Sequence, residues 1–190
     1  MQKKLVAIAG LTVLTAVASA ETIYDNFGSW DGNITSGWFA QAQILAAPAV
    51  DDVLWEWRFE MAAGNTVGSI GFSVQTVAGG LPTGVMLYSD TAVVPPEGAV
   101  ITFNNIGLQL TSGVDYAFVV DFNGYSGETI HYTGIDVVPG DGAWMDGGGN
   151  WFSFAGLDQK MYGRFDAVPE PASLLALGAG LAALALRRKR

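Results

Sequence analysis

Hydrophobic and polar residues alternate most regularly along Val53–Met61, where every odd position is apolar. Because successive side chains of a strand point to opposite faces, this pattern predicts a half-buried β-strand. The residues predicted to face inward are Trp55, Trp57 and Phe59. The residues predicted to face outward are Glu56, Arg58 and Glu60. Glu56 and Arg58 lie two positions apart on one face, so we predict that they pair.

Further alternating or β-branched runs follow at intervals of about ten residues. They lie at 38–44, 69–77, 85–89, 100–104, 116–122, 129–132, 151–154 and 161–165. Turn residues separate most of them, including Gly79-Gly80, Pro82-Thr83-Gly84 and Asn123-Gly124. Before residue 172, apolar residues nowhere recur at helical spacing over three turns. The pattern predicts an all-β fold, a two-sheet, jelly-roll-like antiparallel sandwich of about eight to ten strands.

The N-terminal residues follow the order of a secretory signal peptide. Two lysines follow Met1-Gln2, an apolar run covers 5–17, and Ala18-Ser19-Ala20 supplies small residues for cleavage. The apolar run is shorter than the roughly 20 residues that a membrane-spanning helix needs. We therefore predict export through the Sec translocon and cleavage by signal peptidase after Ala20, with residues 1–20 as the signal peptide.

The C-terminal residues show a second targeting pattern. Pro169-Glu170-Pro171 precedes an uncharged segment at 172–186, and Arg187-Arg188-Lys189-Arg190 ends the chain. The segment has no polar face, which favours a single hydrophobic transmembrane helix over a soluble one. At 1.5 Å per residue it reaches about 22 Å, so snorkelling of the basic side chains and local thinning must help it span the bilayer. The positive-inside rule places the basic tail in the cytoplasm.

This combination resembles the PEP-CTERM sorting signal of Gram-negative bacteria that make extracellular polysaccharide. The resemblance implies recognition by an exosortase at Pro169, Glu170 and Pro171, cleavage near there, and transfer to an acceptor at the cell surface or in the extracellular matrix. Residues 168–190 would form the signal, and residues 21–167 a β-sandwich domain. The strand punctuation of 21–167 is also loosely similar to β-sandwich domains found upstream of this signal.

Charge and composition narrow the partners of the predicted domain. Residues 21–167 contain three basic and seventeen acidic residues, a net charge of −14. Such a chain repels phosphate backbones, so we predict no nucleic-acid partner. The sequence has no cysteine, which excludes disulfides, zinc-thiolate sites and thiol nucleophiles. Divalent cations or plain solubility remain as explanations of the acidity.

Two segments carry residues of catalytic type. His131 is the only histidine and lies in a predicted strand, where a structural or surface role is the favoured interpretation over that of a general base. Residues 124–128 are one residue short of a nucleophile elbow and have no predicted helix behind them. We predict that this second segment is a chain reversal. The sequence therefore favours a protein that is not an enzyme and needs no cofactor.

Other residues are candidates for binding. Asp136, Asp141 and Asp146, with Asn150 and Asp158 nearby, could hold calcium outside the cell, although the spacing fits no EF-hand and ordinary turns also explain it. Trp144 and Trp151 lie near glycine-rich loops and are candidate glycan contacts, with core packing as the alternative.

The leading hypothesis is a noncatalytic envelope or matrix protein associated with exopolysaccharide. The alternative is a carbohydrate- or calcium-binding module at the cell surface. A third hypothesis, a glycan hydrolase, would require two carboxylates about 5 to 10 Å apart in a cleft.

Overall fold

The computed structural model describes residues 21–65, 68–126 and 128–167. The predicted signal peptide, with Ala18 and Ala20, and the predicted C-terminal helix, with the sorting motif and the basic tail, lie outside the described residues. Within the described ranges, no helix is long and apolar enough to cross a bilayer.

Thirteen strands and one turn of 3-10 helix, Phe27–Ser29, lie within these ranges. The strands are β1 (Glu21–Asp25), β2 (Ile34–Thr35), β3 (Ala40–Ala46), β4 (Val53–Met61), β5 (Ser69–Ala78), β6 (Leu81–Val93), β7 (Ala99–Gln109), β8 (Asp115–Asp121), β9 (Ile130–Thr133), β10 (Asp141–Met145), β11 (Trp151–Phe154), β12 (Asp158–Gln159) and β13 (Met161–Asp166). The segment with the clearest alternation, β4, has the bounds that the sequence predicts.

The strands form two antiparallel sheets. In the first sheet the order is β1-β13-β4-β9-β12, with β7 also paired to β4 and β2 to β9. In the second sheet the order is β11-β10-β3-β8-β5-β6. The predicted all-β, two-sheet antiparallel architecture is thereby confirmed.

Four strand pairs are nested along the chain. β1 pairs with β13, β3 with β8, β4 with β7, and β5 with β6. In the sequence, each pair therefore encloses the next, with β1 and β13 outermost and β5 and β6 innermost. This nesting is the pairing scheme of a jelly roll, and β9–β12 are additions to it between β8 and β13.

The core lies between the two sheets and is built around aromatic rings. Trp57 of β4 stacks on Phe118 of β8 in the opposite sheet, with ring centroids 4.0 Å apart and planes 7° apart. Phe72 of β5 and Phe103 of β7 repeat this cross-sheet contact with centroids 4.7 Å apart. Because these rings are almost entirely buried, their contacts hold the sheets face to face.

The predicted inner face of β4 is correct at Trp57 and Phe59 and wrong at Trp55. The pairing of β4 with its neighbour shifts between Leu54 and Glu56, which is a β-bulge. Leu54 is therefore fully buried, while Trp55 is turned outward and 36% exposed. The predicted pair of Glu56 with Arg58 is confirmed, because Nε of the arginine donates to Oε1 at 2.5 Å.

Two turn predictions differ from the structure. Pro82-Thr83-Gly84 was expected to form a turn but lies inside β6, where Pro82 pairs with Val77. The reversal occurs earlier, at Gly79-Gly80, where both residues have positive φ. β6 ends the strand order of its sheet, and an edge strand tolerates proline because its N–H side is not needed for pairing.

The strand β10 was missed by the sequence pattern because glycines dominate its start. Gly140, just before it, has a φ of 115°, and a Cβ there would lie 1.8 Å from the backbone oxygen of Ile44. Glycine is thus required by close backbone contact with β3. Beyond it the chain pairs with β3 on one side and β11 on the other.

Candidate functional site

His131 belongs to a closed cluster on the first sheet. Its Nδ1 lies 3.4 Å from Oε2 of Glu60, and Lys160 forms an ion pair with the same oxygen. Trp30 stacks on the imidazole with centroids 4.1 Å apart and planes 19° apart. The ammonium of Lys160 lies 4.6 Å from the centre of the Trp30 ring, within cation–π range.

The electrostatics of this cluster are dominated by Lys160. Burial raises the pKa of the Glu60 carboxyl, but the contacts with Lys160 and His131 lower it by more, so that the net pKa lies below its ordinary value. Nδ1 of His131 is buried and makes no hydrogen bond among the described residues. Lys160 is therefore the stronger partner of Glu60. The arrangement ties β4, β9 and the loop that carries Trp30 to one another.

The segment at 124–128 forms the predicted chain reversal in its described part. Asn123 and Gly124 both have positive φ, and the N–H of Tyr125 donates to the carbonyl of Phe122. Among the described residues that follow, the next element is the strand β9, so the helix of a nucleophile elbow is not found there.

The three calcium candidates lie before, at the start of and after β10. Oδ1 of Asp141, at the start of the strand, accepts from the N–H of Gly156. Asp146 follows the end of the strand, roughly 16 Å further along an extended chain. Asp136 lies in the loop before β10. Within the described ranges, no three His, Asp or Glu side chains form a group that could hold a metal. The calcium hypothesis therefore remains a prediction without a supporting cluster.

Asp146 has a local role instead. Its carboxylate accepts from the backbone N–H groups of Gly148 and Asn150 at 2.8 and 2.9 Å. These hydrogen bonds, the Asn150 contribution first, hold the pKa of Asp146 below its ordinary value. The residue stabilises the tight connection from β10 to β11.

Asp158 is the buried carboxyl of this region. Oδ2 accepts from the N–H groups of Val137 and Val138, and Oδ1 accepts from Nε2 of Gln43 on the opposite sheet. Burial raises the pKa of Asp158, and its three hydrogen bonds offset only part of this effect. The contact with Gln43 makes Asp158 a polar link between the two sheets.

The glycan candidates Trp144 and Trp151 have different surroundings. Trp144 is only 7% exposed and packs between Tyr132, Trp38 and Phe154, so its ring offers no open face to a sugar. The predicted contact at Trp144 does not fit this position, and the alternative of core packing does. Trp151 is partly buried and packs on a cluster of small side chains on the outer face of the second sheet.

A cleft of 330 Å³ lies on the outer face of the second sheet, between β5, β6 and the end of β8. We call it the Gly71 cleft. Its outward-facing residues are Gly71, Ser73, Met86, Ser89, Thr91, Asp121 and Asn123. Its volume falls within the range of small-molecule sites in proteins. The sequence did not predict it, because its residues come from three strands whose pairing the sequence does not show.

The strand register gives the dimensions of the cleft floor. Asp121, Gly71 and Thr91 form one cross-strand row, and Ser73 and Ser89 form part of the next row on the same face. Neighbouring strands are about 4.8 Å apart, so Asp121 and Thr91 flank the glycine at a backbone separation of about 10 Å. The two rows are about 7 Å apart along the strands.

Asp90 also borders the cleft, but its carboxylate is engaged elsewhere. Asp90 is the cross-strand partner of the core residue Phe72, so its side chain lies on the opposite face of β6 from Ser89 and Thr91. Its carboxylate accepts from the hydroxyl of Tyr88 at 3.2 Å and from the N–H of Thr91 at 2.7 Å. Asp121 is thus the one described carboxylate whose position in the strand directs it into the cleft.

Comparison with known proteins identifies the C-terminal segment. The family model of the PEP-CTERM protein-sorting motif matches residues 167–190. The chain therefore carries this motif, which confirms the resemblance of Pro169-Glu170-Pro171 and the residues after it. No curated protein matches the chain.

Two solved structures share the fold. One is the clostridial cysteine protease Cwp84 after propeptide cleavage, with 14% identity, a TM-score of 0.57, and coverage of 78% of this chain and 40% of that one. The other contains the cysteine protease and lectin-like domains of Cwp84, a surface layer associated protein of Clostridium difficile, with 13% identity, a TM-score of 0.53, and coverage of 78% and 36%. This chain spans about two fifths of their length or less, and the similarity is one of fold.

Proposed function

We propose that this chain, which ends in a PEP-CTERM protein-sorting motif, is a noncatalytic envelope or matrix protein of a Gram-negative bacterium that associates with exopolysaccharide. The motif at residues 167–190 is the observation that carries the proposal. It implies export and sorting by an exosortase. The noncatalytic role, the final location and the association with exopolysaccharide go beyond what the motif implies and are part of the proposal.

The proposed sequence of events follows the order of the chain. Signal peptidase removes residues 1–20, and the jelly-roll domain folds outside the inner membrane. The hydrophobic segment at 172–186 then holds the protein in the bilayer with Arg187–Arg190 in the cytoplasm. Exosortase acts at or near Pro169-Glu170-Pro171, and the domain is retained at the cell surface or in the matrix.

The arrangement of titratable groups supports a noncatalytic role. In the described part of the chain, His131 is covered by Trp30, and its acidic neighbour Glu60 is paired with Lys160. A general base must reach a substrate proton within hydrogen-bond distance, directly or through one water. The side chain of His131 is only 13% exposed, which limits its access to a substrate.

A carbohydrate-binding module at the cell surface is the second candidate function. The Gly71 cleft favours it, because hydroxyl, amide and carboxylate groups line one concave surface. The lectin-like domains named for one of the structurally similar chains are compatible with this proposal. In the leading proposal the domain is retained through the acceptor to which exosortase processing transfers it, whereas in this one it is retained by ligand binding in the Gly71 cleft.

Sorting is tested by replacing Pro169, Glu170 and Pro171 with alanine in the producing organism and fractionating the cells. We expect the native chain in the surface or matrix fraction and the variant in the inner membrane. The control replaces Pro95, Pro96 and Glu97, a similar run in a loop between β6 and β7. Equal distribution of all three proteins would contradict the proposal.

A further inference from the structure

Gly71 has no structural requirement that explains it. Its φ is not in the left-handed region, and a Cβ built on it would meet only Cβ and O of Asp121, at 3.6 and 4.0 Å, which are ordinary contact distances. The pairing of β5 with β8 is regular at this point. Glycine weakens a strand interior and often marks a place where a ligand approaches the backbone. Neither a bulge nor close packing accounts for this glycine, and without a side chain it leaves the floor of the cleft open.

The wall of the cleft beside Gly71 is held in a fixed conformation. Asn123 has a φ of 54°, an uncommon left-handed conformation that asparagine tolerates better than most residues. Its N–H donates to Oδ1 of Asp121 at 2.7 Å, and its Nδ2 donates to the carbonyl of Ser69 at 2.8 Å. These bonds fix the carboxylate and the amide at one end of the floor. Oδ2 of Asp121 makes no hydrogen bond among the described residues.

The opposite wall of the cleft carries hydroxyl groups and one apolar side chain. Ser89 and Thr91 are exposed on the edge strand β6, and Ser73 lies between them and β8. Met86, 60% exposed, borders the same floor. A hydroxyl can donate and accept, a carboxylate and an amide oxygen accept, and a thioether contacts C–H surfaces. This set complements a molecule with many hydroxyls and an apolar ring face.

We propose that the Gly71 cleft binds one uncharged saccharide unit, with Oδ2 of Asp121 and Oδ1 of Asn123 accepting hydrogen bonds from neighbouring hydroxyls. The floor, about 10 by 7 Å, admits a single ring lying over Gly71. The net charge of −14 on residues 21–167 opposes uronate and phosphate groups, so the site selects neutral sugars over acidic ones. The choice of ligand rests on the proposed association with exopolysaccharide.

The test measures binding of the full-length protein to defined tetrasaccharides. The probes are neutral tetramers of glucose, galactose and mannose, and tetragalacturonate as the acidic probe, each followed by calorimetry. We expect at least one neutral probe to bind and the acidic probe to bind at least tenfold more weakly. Binding of no neutral probe, or equal binding of the acidic one, would overturn the proposal.

Two variants locate the site. Gly71→Val fills the floor, and Ser89→Val replaces one of its hydroxyls. Both positions favour a β-branched residue, so the melting temperature should not fall. The control is Ser153→Val. Ser153 lies in the same cross-strand row as Ser89, but on β11 at the other end of the strand order. We expect at least a tenfold loss of affinity in the first two variants and none in the control. Retained binding in both cleft variants would refute the site.

The same Gly71→Val variant separates this inference from the proposed function. Its sorting in the producing organism should be normal, because the sorting motif is unchanged. If no probe binds while sorting proceeds, the saccharide site is wrong and the sorting proposal stands. If the probes bind but the sorting motif has no effect on location, the sorting proposal is wrong instead.

Discussion

Glu21 and Asp166 are cross-strand partners at one end of the pair formed by β1 and β13. Glu21 follows the predicted signal cleavage site after Ala20, and Asp166 immediately precedes the residues matched by the sorting motif. Both predicted processing sites therefore adjoin the same strand pair. Because this pairing uses only residues 21–25 and 162–166, we expect it to persist when either tag is removed.

A chain reduced to residues 21–167 should fold as the full-length chain does. The jelly-roll pairs and the buried aromatic core all lie within these residues. We expect a cooperative thermal transition and strong protection of β4 and β8 amides from hydrogen exchange. A chain of this length without a transition would show that the fold depends on the tags. A matched chain ending at residue 160, which removes β13, should not fold.

Trp57 and Trp55 provide a test of the bulge in β4. Replacing the fully buried Trp57 by alanine removes its stack on Phe118 and should lower the free energy of unfolding by about 3 to 5 kcal/mol. Trp55→Ala should cost less than about 1 kcal/mol because this side chain is turned outward. Urea unfolding of the two variants measures the difference. Equal losses would mean that both tryptophans face the core, as strict alternation predicts.

Glu60 should stabilise the fold only above acidic pH. Its pKa is lower in the folded state than the ordinary value of 4.5, so the unfolded chain binds the proton more readily. The stabilisation is present above pH 4.5 and is lost as the pH falls through the folded pKa. Because the group is partly solvated, we expect about 1 kcal/mol for Glu60→Gln at neutral pH, shrinking on acidification. Urea titrations at several pH values test this, with Glu97→Gln in an exposed loop as the control variant.

Asp158 should have the opposite pH dependence. Burial raises its folded pKa above the ordinary 3.8, so the folded state binds the proton more readily and gains stability as the pH falls through the folded pKa. Asp158→Asn presents a donor where Gln43 already donates and should cost about 1 to 3 kcal/mol at neutral pH. The advantage of the native chain over this variant should grow on acidification. A difference that shrinks instead would mean that the hydrogen bonds outweigh burial.

The sequence predicted most of the strands that alternating or β-branched runs mark. β4 and β11 have the predicted bounds because alternation marks them directly. Trp55 was misplaced because the bulge turns Leu54 to the buried face and Trp55 to the exposed one, which strict alternation does not show. β10 was missed because a glycine-rich sequence, such as the one at its start, usually indicates a turn. In the structure, glycine is needed at position 140 because the backbone there lies in close contact with β3.

The candidate sites were predictable only where one segment carries them. The sorting motif is contiguous, and its order of proline, apolar segment and basic tail identified it. The Gly71 cleft joins residues 71, 89, 91 and 121, which adjoin only through the pairing of β5, β6 and β8. A glycine inside a β-branched run was the available signal. Trp144 appeared as a glycan contact because sequence does not distinguish a buried ring from an exposed one.

The most direct test of the account is the intact mass of the protein recovered from its own cells. We predict loss of residues 1–20, loss of the C-terminal segment from a point at or near Pro169-Glu170-Pro171, and added mass at the new C-terminus from the acceptor. A surface or matrix protein that still carries Arg190 at its end would contradict processing by an exosortase, and with it the proposed function.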